Sequence, residues 1–436
     1  MAWPLAVGLL SFTIMAVTDT LLMGRVNTAA QGAVALSGLF ALVLVAFFRG
    51  LCGGPQAVVA AADGAGDRGR VREAASAGLL FGLGGGLVGL MLLVAAVAWS
   101  MDLVFADPEL IGPASNYLIV LALGLPFDMG AYGAMSVLQG LGDTRTRMWA
   151  SVAANAVNIG LDIVLIFGLG PIPALGETGA AVASVAGMVV ASGIYLLRYR
   201  QLVGPPVRPS RDVVVSAWRL GVPSGAQFLL GVSAFVTTNL VLARVGPAHV
   251  AASGIVLEIM TVSFLPGRGL GEAAGTLVGR YLGARRPDAA DRAMRSARLL
   301  ALAIMGAFGV AFFVGADVIA APFSRDPEVL ALCADLLRIA AVLQLFDAAA
   351  TVHLYALRGA GDMRFTLIVS TASAWLLMVP GTLFFALVMG WGATGAWLGL
   401  LLHIAVMGGV TWLRMGGLAT GRVGRLDLLL GRSATA

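Results

Sequence analysis

The sequence predicts an all-α polytopic membrane protein, with twelve transmembrane helices in two pseudo-symmetric six-helix lobes. The prediction depends on the composition, on the number of long apolar runs, and on an internal repeat. Of the 436 residues, 59% are hydrophobic and only 12% are charged, and the mean hydropathy is +0.92. A soluble domain has about 25% charged residues, so this chain has too few for a water-facing surface. We therefore expect lipid to be its solvent.

Twelve apolar runs are long enough to cross a bilayer as helices, which requires about 20 residues. The predicted spans are residues 3–23, 33–61, 76–99, 113–139, 148–168, 178–197, 213–243, 250–279, 298–322, 330–357, 366–390 and 394–413. Several are longer than a bilayer requires, which predicts tilted or bent helices. The first run lacks a basic leader and a small-residue cleavage site, so we interpret it as a mature span rather than a signal peptide.

The distribution of arginine predicts the orientation of these spans. The chain has no lysine, and its arginines crowd the loops after even-numbered spans and the carboxy-terminal tail. The odd-numbered loops hold only Arg25, Arg244 and Arg325. By the positive-inside rule, we expect a multi-pass protein of the bacterial cytoplasmic (inner) membrane with both termini in the cytoplasm. The net charge of +5 then reflects topology, and we predict no nucleic-acid partner.

The two halves of the chain repeat one pattern at an offset of 219 residues, which becomes 216 where Thr178-Gly179-Ala180 matches Thr394-Gly395-Ala396. FDMGAYGAMSVLQGLGDTR begins at Phe127, and FDAAATVHLYALRGAGDMR begins at Phe346, 219 residues later. Further pairs at this offset are Pro4 and Pro223, Arg49 and Arg268, Gly64 and Gly283, and Asp128 and Asp347. Because each half has six spans, an even number, both copies enter the membrane from the same side, which makes a parallel repeat.

A proline-containing connection separates the two copies and sets the predicted domain limits. We predict an amino-terminal six-helix lobe (1–204), a cytoplasmic linker (205–212), a carboxy-terminal six-helix lobe (213–413) and a cytoplasmic tail (414–436). Two similar lobes joined by a linker are typical of alternating-access transporters, whose binding cavity lies between the lobes.

Residues for enzymatic chemistry are scarce in this chain. A P-loop needs a lysine that reaches the nucleotide phosphates, and lysine is absent. Cys52 and Cys333 lie inside apolar spans, and the three histidines are scattered, so we predict neither a disulfide framework nor a metal site. We predict that the protein is not an enzyme, has no catalytic residues, and binds no cofactor or nucleotide.

Acidic residues inside the apolar spans are the candidate functional groups. They are Asp19, Asp128, Asp162, Glu258, Glu272 and Asp347. An ionised carboxylate in the middle of a bilayer costs at least about 2.5–3.5 kcal/mol. Such an acid is expected to face the protein interior, take up a proton, or bind a cation. The structural alternative is a polar contact that holds helices together.

Asn158 and Asp162 are spaced i, i+4 and are therefore expected on one helix face. An amide can donate to a charged carboxylate and accept from a protonated one, which suits a site that changes its protonation. Glu258 and Glu272 are 14 residues apart, close to four helical turns, and are expected on similar faces. Arg268, one turn before Glu272, suits an ion pair as well as a functional role.

Two further candidates for a cavity remain open. His353 lies six residues after Asp347 and either faces the cavity or has a structural role. Arg49 and Arg268 lie inside their spans at equivalent positions of the repeat. They either bind an anionic group bidentately or pair with carboxylates.

Several motifs in order give the sequence a family resemblance over residues 1–410. These are DTLLMGRV, LQGLGDTRTRM, NIGLDIVLIFG, GETGAAVAS, GLGEAAGTLVGRYLGA and RGAGDMR. In this set and spacing the chain resembles the multidrug and toxic compound extrusion (MATE) family, most closely its DinF-like branch. The resemblance implies a V-shaped cavity between two six-helix lobes. It also implies efflux of organic, often cationic, drugs driven by a proton or sodium gradient.

The resemblance assigns roles to individual residues. Asp19, Asn158 and Asp162 match the amino-lobe cation site of the DinF-like branch, and Ser184 keeps the hydroxyl of a threonine common there. Pro4 matches a proline that lets the first helix bend. Asp347 resembles the tenth-helix acid that binds sodium in the NorM-like branch. The seventh-helix glutamate of that sodium site corresponds here to Gly231, which favours amino-lobe coupling, and protons over sodium.

These observations lead to one main hypothesis and one alternative. The main hypothesis is a monomeric exporter of amphipathic organic cations or drugs, by antiport with H⁺, or alternatively Na⁺, in which Asp128 and Asp347 contribute a second cation or substrate site. The alternative is a flippase or exporter of an anionic lipid-linked precursor, which Arg49 and Arg268 would bind. A receptor or scaffold without transport gives no reason for several acids inside the membrane.

Overall fold

A computed structural model gives the structure of the protein. The described residues are 28–99, 101, 108–169, 171–418, 423 and 426–431, with residues 3–5, 7, 8, 11, 15, 18 and 22–25 of the amino-terminal segment. Within this described part the chain is almost entirely helical, and an isolated antiparallel bridge joins Leu169 and Ile172. The all-α class predicted from the composition is confirmed.

The helices follow one another with short connections. In chain order they are α1 Thr28–Leu51, α2 Gly53–Ala65, α3 Arg68–Trp99, α4 Pro108–Gly140, α5 Arg145–Phe167, α6 Gly176–Leu202, α7 Arg211–Ala243, α8 Pro247–Gly283, α9 Pro287–Val314, α10 Ala316–Ala320, α11 Pro327–Gly359, α12 Met363–Ser373, α13 Val379–Thr382, α14 Gly392–Met415 and α15 Leu426–Leu429. Two π-helical segments, Ala374–Met378 and Leu383–Val388, flank α13.

Eleven helical stretches among the described residues are long and apolar enough to cross a membrane. Each corresponds to one predicted span, from the second (Leu36–Ala65) to the twelfth (Gly392–Met415). The first predicted span, 3–23, lies mostly outside the described residues. The observed helices begin before the predicted limits, because polar residues at the amino-terminal ends continue the helix, whereas their last residues lie on either side of the predicted ones.

Two spans depart from a regular α-helix, and a proline accounts for each departure. The second span is divided at Cys52, and Pro55 has no N–H to bond to the Leu51 carbonyl. The eleventh span widens into π-helix on both sides of Pro380, and the Met389 N–H bonds to the Phe384 carbonyl, five residues earlier, at 2.9 Å. The long spans are therefore interrupted as well as extended.

The residues fall into two compact units. The N-unit contains residues 7–59 and 68–225, and the C-unit contains residues 1–6, 60–67 and 226–436. Each unit has its own buried apolar core. This grouping follows packing, whereas the predicted lobes follow the repeat, so the predicted limits at 204, 212 and 413 stay predictions.

Corresponding helices have corresponding neighbours in the two units. In the N-unit α4 packs against α1, α3 and α6, and α5 packs against α6. In the C-unit α11 packs against α8, α9 and α14, and α14 packs against the eleventh span. These are the same span-to-span pairings, which confirms that the sequence repeat is also a structural repeat.

The repeat also has an ion pair at the same end of each copy. In the N-unit, Arg198 of α6 donates from Nε to Asp143 Oδ2 at 2.7 Å, and the Thr146 hydroxyl donates to the same oxygen at 2.9 Å. Burial favours a raised pKa for the Asp143 carboxyl, but the hydrogen bonds from Arg198 and Thr146 and the arginine charge outweigh burial, and the pKa is lowered. In the C-unit, Arg414 of α14 donates to Asp362 Oδ2 at 2.9 and 3.0 Å.

Candidate functional site

The N-unit candidate site centres on one face of α5. Asn158 and Asp162 are both buried with 0% exposed surface, which confirms the shared face predicted from their spacing. No described residue provides a hydrogen-bond partner for the Asn158 side-chain oxygen or nitrogen. A buried amide normally has such partners. This part of α5 therefore combines a carboxyl group with an amide that can still bind a polar group.

Ser184 of α6 lies at the level of these two residues. Gly187 of α6 lies against Asn158, where an added Cβ would be 3.5 Å from the Asn158 Cβ. Gly179 lies against Leu165, where an added Cβ would be 2.6 Å from its carbonyl oxygen. Between these two contacts the antiparallel helices bring Ser184, 2% exposed, to the level of α5 between Asn158 and Asp162. The two glycines permit this close approach because a side chain would meet backbone atoms.

Asn155 belongs to the same face and was missed in the sequence. Its Nδ2 donates to both the carbonyl and the hydroxyl oxygen of Ser11. Asn155 precedes Asn158 by three residues and Asp162 by seven, which is the spacing of a single helical face. The amino-terminal segment is thus fastened to α5 one turn from the candidate pair. The signal was available in the sequence as a third polar residue at helical spacing.

Of the two candidate residues in the amino-terminal segment, the structure describes one. Pro4 is described and buried within a helical stretch. Asp19 lies outside the described residues, so its proximity to Asp162 stays a prediction.

The C-unit candidate site centres on Asp347 of α11. This aspartate is 6% exposed and accepts a hydrogen bond from the Thr351 hydroxyl at 3.3 Å. One turn earlier, Gln344 donates to Ser263 of α8. Thr351 and Gln344 were not singled out in the sequence, although both flank Asp347 at helical spacing. The result is a buried carboxylate with a hydroxyl beside it, one turn from a buried amide–hydroxyl pair.

Asp128 has a different environment from Asp347, its counterpart in the repeat. Arg49 Nη2 of α1 donates to Asp128 Oδ2 at 2.9 Å, and the two side chains are 21% and 22% exposed. The guanidinium carbon of Arg49 also lies 5.7 Å from the centre of the Tyr132 ring. Asp128 is therefore neutralised by a partner on another helix.

Arg268, the counterpart of Arg49, pairs within its own helix. Its Nε donates to Glu272 Oε1 at 3.1 Å, and the Glu272 side chain is 7% exposed. Of the two roles left open in the sequence, both arginines thus form the carboxylate pair. Glu258 is exposed, whereas Glu272 is buried, and the expectation that these two glutamates lie on similar faces stays a prediction. Pro266 lies between them inside α8, which is one helix from Pro247 to Gly283.

His353 lies in the packed interior of the C-unit. It has 0% exposed surface, and its Nε2 is 3.5 Å from Arg298 Nη1. Its ring contacts Trp412 edge to face, with 5.6 Å between the ring centres. The role of a cavity-lining residue therefore gains no support.

Within the described part of the chain, no group of three or more histidine, cysteine, aspartate or glutamate side chains is close enough to hold a metal ion. The candidate groups are instead single carboxylates beside an amide or a hydroxyl. Such a group can exchange a proton, or can offer oxygen ligands to a monovalent cation. The chemistry available to such a group is reversible charge neutralisation.

A model of the MatE family matches the chain twice, over residues 4–164 and 223–384. The two matches begin 219 residues apart (223 − 4), which is the offset of the internal repeat. The chain is also similar to curated proteins. It is 30% identical over 427 residues to the multidrug resistance protein NorM of Burkholderia vietnamiensis, with 93% of this chain and 90% of that protein covered. It is 28% identical over 422 residues to the probable multidrug resistance protein NorM of Pseudomonas putida, at the same coverages.

Solved structures share the fold. One is an outward-facing multidrug resistance MATE family transporter of the MOP superfamily, with a TM-score of 0.88, 23% identity, and coverage of 97% of this chain and 95% of that chain. Another is a MOP superfamily transporter from Pyrococcus furiosus, for which a reversed polarity of the binding pocket suggests a different function. Its TM-score is 0.86, with 23% identity and coverage of 96% and 95%. Because the relatives cited here are NorM proteins, the DinF-like assignment stays a prediction.

Proposed function

Because the chain belongs to the MATE family, we propose that it is a secondary active multidrug efflux transporter that exports amphipathic organic cations in exchange for protons. The proposal places it as a monomer in a bacterial inner membrane, with both termini in the cytoplasm. It needs no cofactor, nucleotide or enzymatic step, because the ion gradient supplies the free energy.

The observation that carries the proposal is the burial of Asn158 and Asp162 together on one face of α5. A charged carboxylate buried among apolar helices is costly unless a partner or a proton compensates it. The Asn158 amide can donate to charged Asp162 and accept from its protonated form. The pair is therefore suited to two protonation states with different hydrogen bonds.

We infer the transport cycle from this pair. When Asp162 is charged, its carboxylate favours a bound organic cation. A proton that enters from outside neutralises it, removes this attraction, and changes the hydrogen bonds around Asn158 and Ser184. Asn155 bonds to Ser11 one turn away, so a change on α5 can reach the amino-terminal segment. Asp19, as predicted, would take part at that segment.

The arginines support a cationic rather than an anionic substrate. Arg49 and Arg268 were the basis of the anionic-lipid alternative, and each holds a carboxylate, at 2.9 and 3.1 Å respectively. An arginine in such a pair attracts a phosphate less than an isolated one. We therefore propose the cation exporter and retain no second function.

Sodium remains an alternative coupling ion, with Asp347 as its candidate ligand. The Asp347 carboxylate and the Thr351 hydroxyl, 3.3 Å apart, are oxygen donors of the kind that hard cations prefer. Gly231 offers no side-chain ligand. We therefore propose protons at Asp162 as the main coupling, and the choice of ion can be measured.

The test uses purified protein in liposomes that contain a fluorescent organic cation. Efflux is driven by an imposed proton gradient in one arm and by an imposed sodium gradient in the other. We expect proton-driven efflux that falls at least about tenfold in Asp162→Asn, since a coupling group is removed, and is kept in Asp347→Asn. Asp335→Asn, at an exposed acid of α11 paired with Arg338, is the matched control. Sodium-driven efflux that is lost only in Asp347→Asn would overturn the proposal.

A further inference from the structure

A second polar cluster in the C-unit, outside the carboxylate sites, has no carboxylate among its close contacts with described residues. It consists of Arg298 of α9, His353 of α11 and Trp412 of α14. The Arg298 guanidinium carbon lies 4.2 Å from the centre of the Trp412 ring, so its flat face covers the indole. Arg298 Nη1 is 3.5 Å from His353 Nε2. The three residues thus join three neighbouring helices.

Two buried donors of this cluster have no acceptor among the described residues. Guanidinium nitrogens only donate, so His353 Nε2 must accept and the imidazole proton must sit on Nδ1. His353 is fully buried. Among the described residues, neither His353 Nδ1 nor Arg298 Nε has a hydrogen-bond partner. A buried donor without an acceptor is costly, and the positive charge of Arg298 favours an acceptor that is negatively charged.

The acids of the same helix do not supply that group. Asp291, two turns before Arg298, is held by Arg295 at 2.7 Å. Among the described residues, no carboxylate oxygen lies within ion-pair distance of Arg298. In contrast, Arg49, Arg268 and Arg280 each hold a carboxylate at 2.9 to 3.1 Å.

The cluster lies at the boundary between polar and apolar residues of two helices. Arg298 is the last charged residue of α9, and residues 299–314 are all uncharged. Trp412 is followed by Arg414 close to the end of α14, and it is 51% exposed. Arginine and tryptophan are typical of the membrane–water interface, and Leu299 and Leu413 beside them are 63% and 80% exposed. An exposed apolar surface thus adjoins the donors.

From these observations we propose that Arg298, His353 and Trp412 bind the headgroup phosphate of an anionic phospholipid. The phosphate oxygens accept from the half-buried Arg298 guanidinium, which His353 and Trp412 hold in place, while the acyl chains lie along the exposed leucines. Basic pockets between transmembrane helices are suited to anionic headgroups. The site would hold one lipid against α9, α11 and α14, and it is independent of the transported substrate.

The test is native mass spectrometry of the delipidated protein in detergent, titrated with phosphatidylglycerol or with phosphatidylcholine of the same acyl chains. We expect one phosphatidylglycerol to bind first and more tightly than phosphatidylcholine. In Arg298→Gln its affinity should fall about fivefold. Arg292→Gln, at an exposed arginine of the same helix, removes the same charge and should bind as the wild type does. Trp412→Ala changes an exposed side chain and should weaken binding about twofold, which tests the site if Arg298→Gln fails to fold.

Three results would overturn the proposal. One is equal phosphatidylglycerol affinity in the wild type and in Arg298→Gln. Another is an equal loss in Arg292→Gln, which would indicate general attraction by charge. The third comes from a separate arm with inorganic phosphate: if phosphate binds at this cluster and phosphatidylglycerol does not compete with it, the ligand is a soluble anion rather than a lipid.

Discussion

The aspartate that both copies of the repeat carry has different partners in the two copies. In the first copy Asp128 is bound by Arg49 of a neighbouring helix, at 2.9 Å. In the second copy Arg268 donates to Glu272, at 3.1 Å, and Asp347 accepts from the Thr351 hydroxyl. The residue that corresponds to Glu272 in the first copy is Gly53, at the offset of 219. One glycine-to-glutamate difference thus accompanies the change of partner.

The comparison shows where each copy carries an extra acid. In the second copy two carboxylates, Glu272 and Asp347, accompany one arginine. The first copy instead has an additional buried acid on α5, at Asp162. Glu272, Asp347 and Asp162 are all buried. By contrast, the Asp143–Arg198 and Asp362–Arg414 pairs recur at the end of both copies. The duplication has kept the ion pair at the end of each copy and has diverged in the partners of the arginines and acids inside the spans.

The largest effect on the difference between the two copies is expected from replacing Arg49. In Arg49→Gln the partly buried Asp128 loses its cation, and we expect the free energy of unfolding to fall by about 2 kcal/mol. This lies below the cost for a fully buried pair because both side chains are about one-fifth exposed. The measurement is thermal or denaturant unfolding in detergent.

The control for Arg49→Gln is a double variant. Arg49→Gln with Asp128→Asn removes both charges and should recover most of the lost stability. No recovery in the double variant would contradict a direct pair between the two side chains.

The second copy should show a different pattern of rescue. We expect Arg268→Gln to lose about 1–2 kcal/mol, and Glu272→Gln in the same chain to restore part of it. Asp347→Asn should not restore it, because Arg268 donates to Glu272 in the present structure. The measurement is the coupling free energy from the two double-mutant cycles. Equal rescue by Asp347→Asn would show that the two copies pair alike.

The smallest expected effect concerns the ion pairs that the copies share. Asp143→Asn and Asp362→Asn should each lower the free energy of unfolding by about 1 kcal/mol or less. Because the pKa of Asp143 is lowered in the folded state, its contribution is fully present above about pH 4, the ordinary value of aspartate. It is lost as the pH falls through the lowered pKa.

The pH dependence of Asp143→Asn can be measured directly. The difference in stability between the wild type and this variant should be constant from pH 7 to about pH 5 and should shrink below about pH 4. A difference that instead grows toward acid pH would contradict the lowered pKa.

The sequence predicted most of the fold because the signals for it are local. Length, apolar runs and the repeat determine helices and their order, and the spacing of Asn158 and Asp162 determines their shared face. The pair of Arg268 and Glu272 is equally local, four residues apart. The partner of Arg49 is not, because Asp128 lies 79 residues away and only packing brings α1 and α4 together.

Other features of the structure depend on how separate helices pack together, which the periodicity of one helix does not predict. The donors left over at Arg298 and His353 depend on which atoms of three helices meet, and no spacing in the sequence predicts that.

The central claim is that binding of an organic cation is coupled to release of a proton from the Asn158–Asp162 pair. The most direct measurement is calorimetric titration of the purified protein with a cationic substrate, in buffers of different ionisation enthalpy. We predict about one proton released per cation bound in the wild type and in Asp347→Asn, and none in Asp162→Asn. Proton release that is unchanged in Asp162→Asn, or that is lost only in Asp347→Asn, would contradict the account.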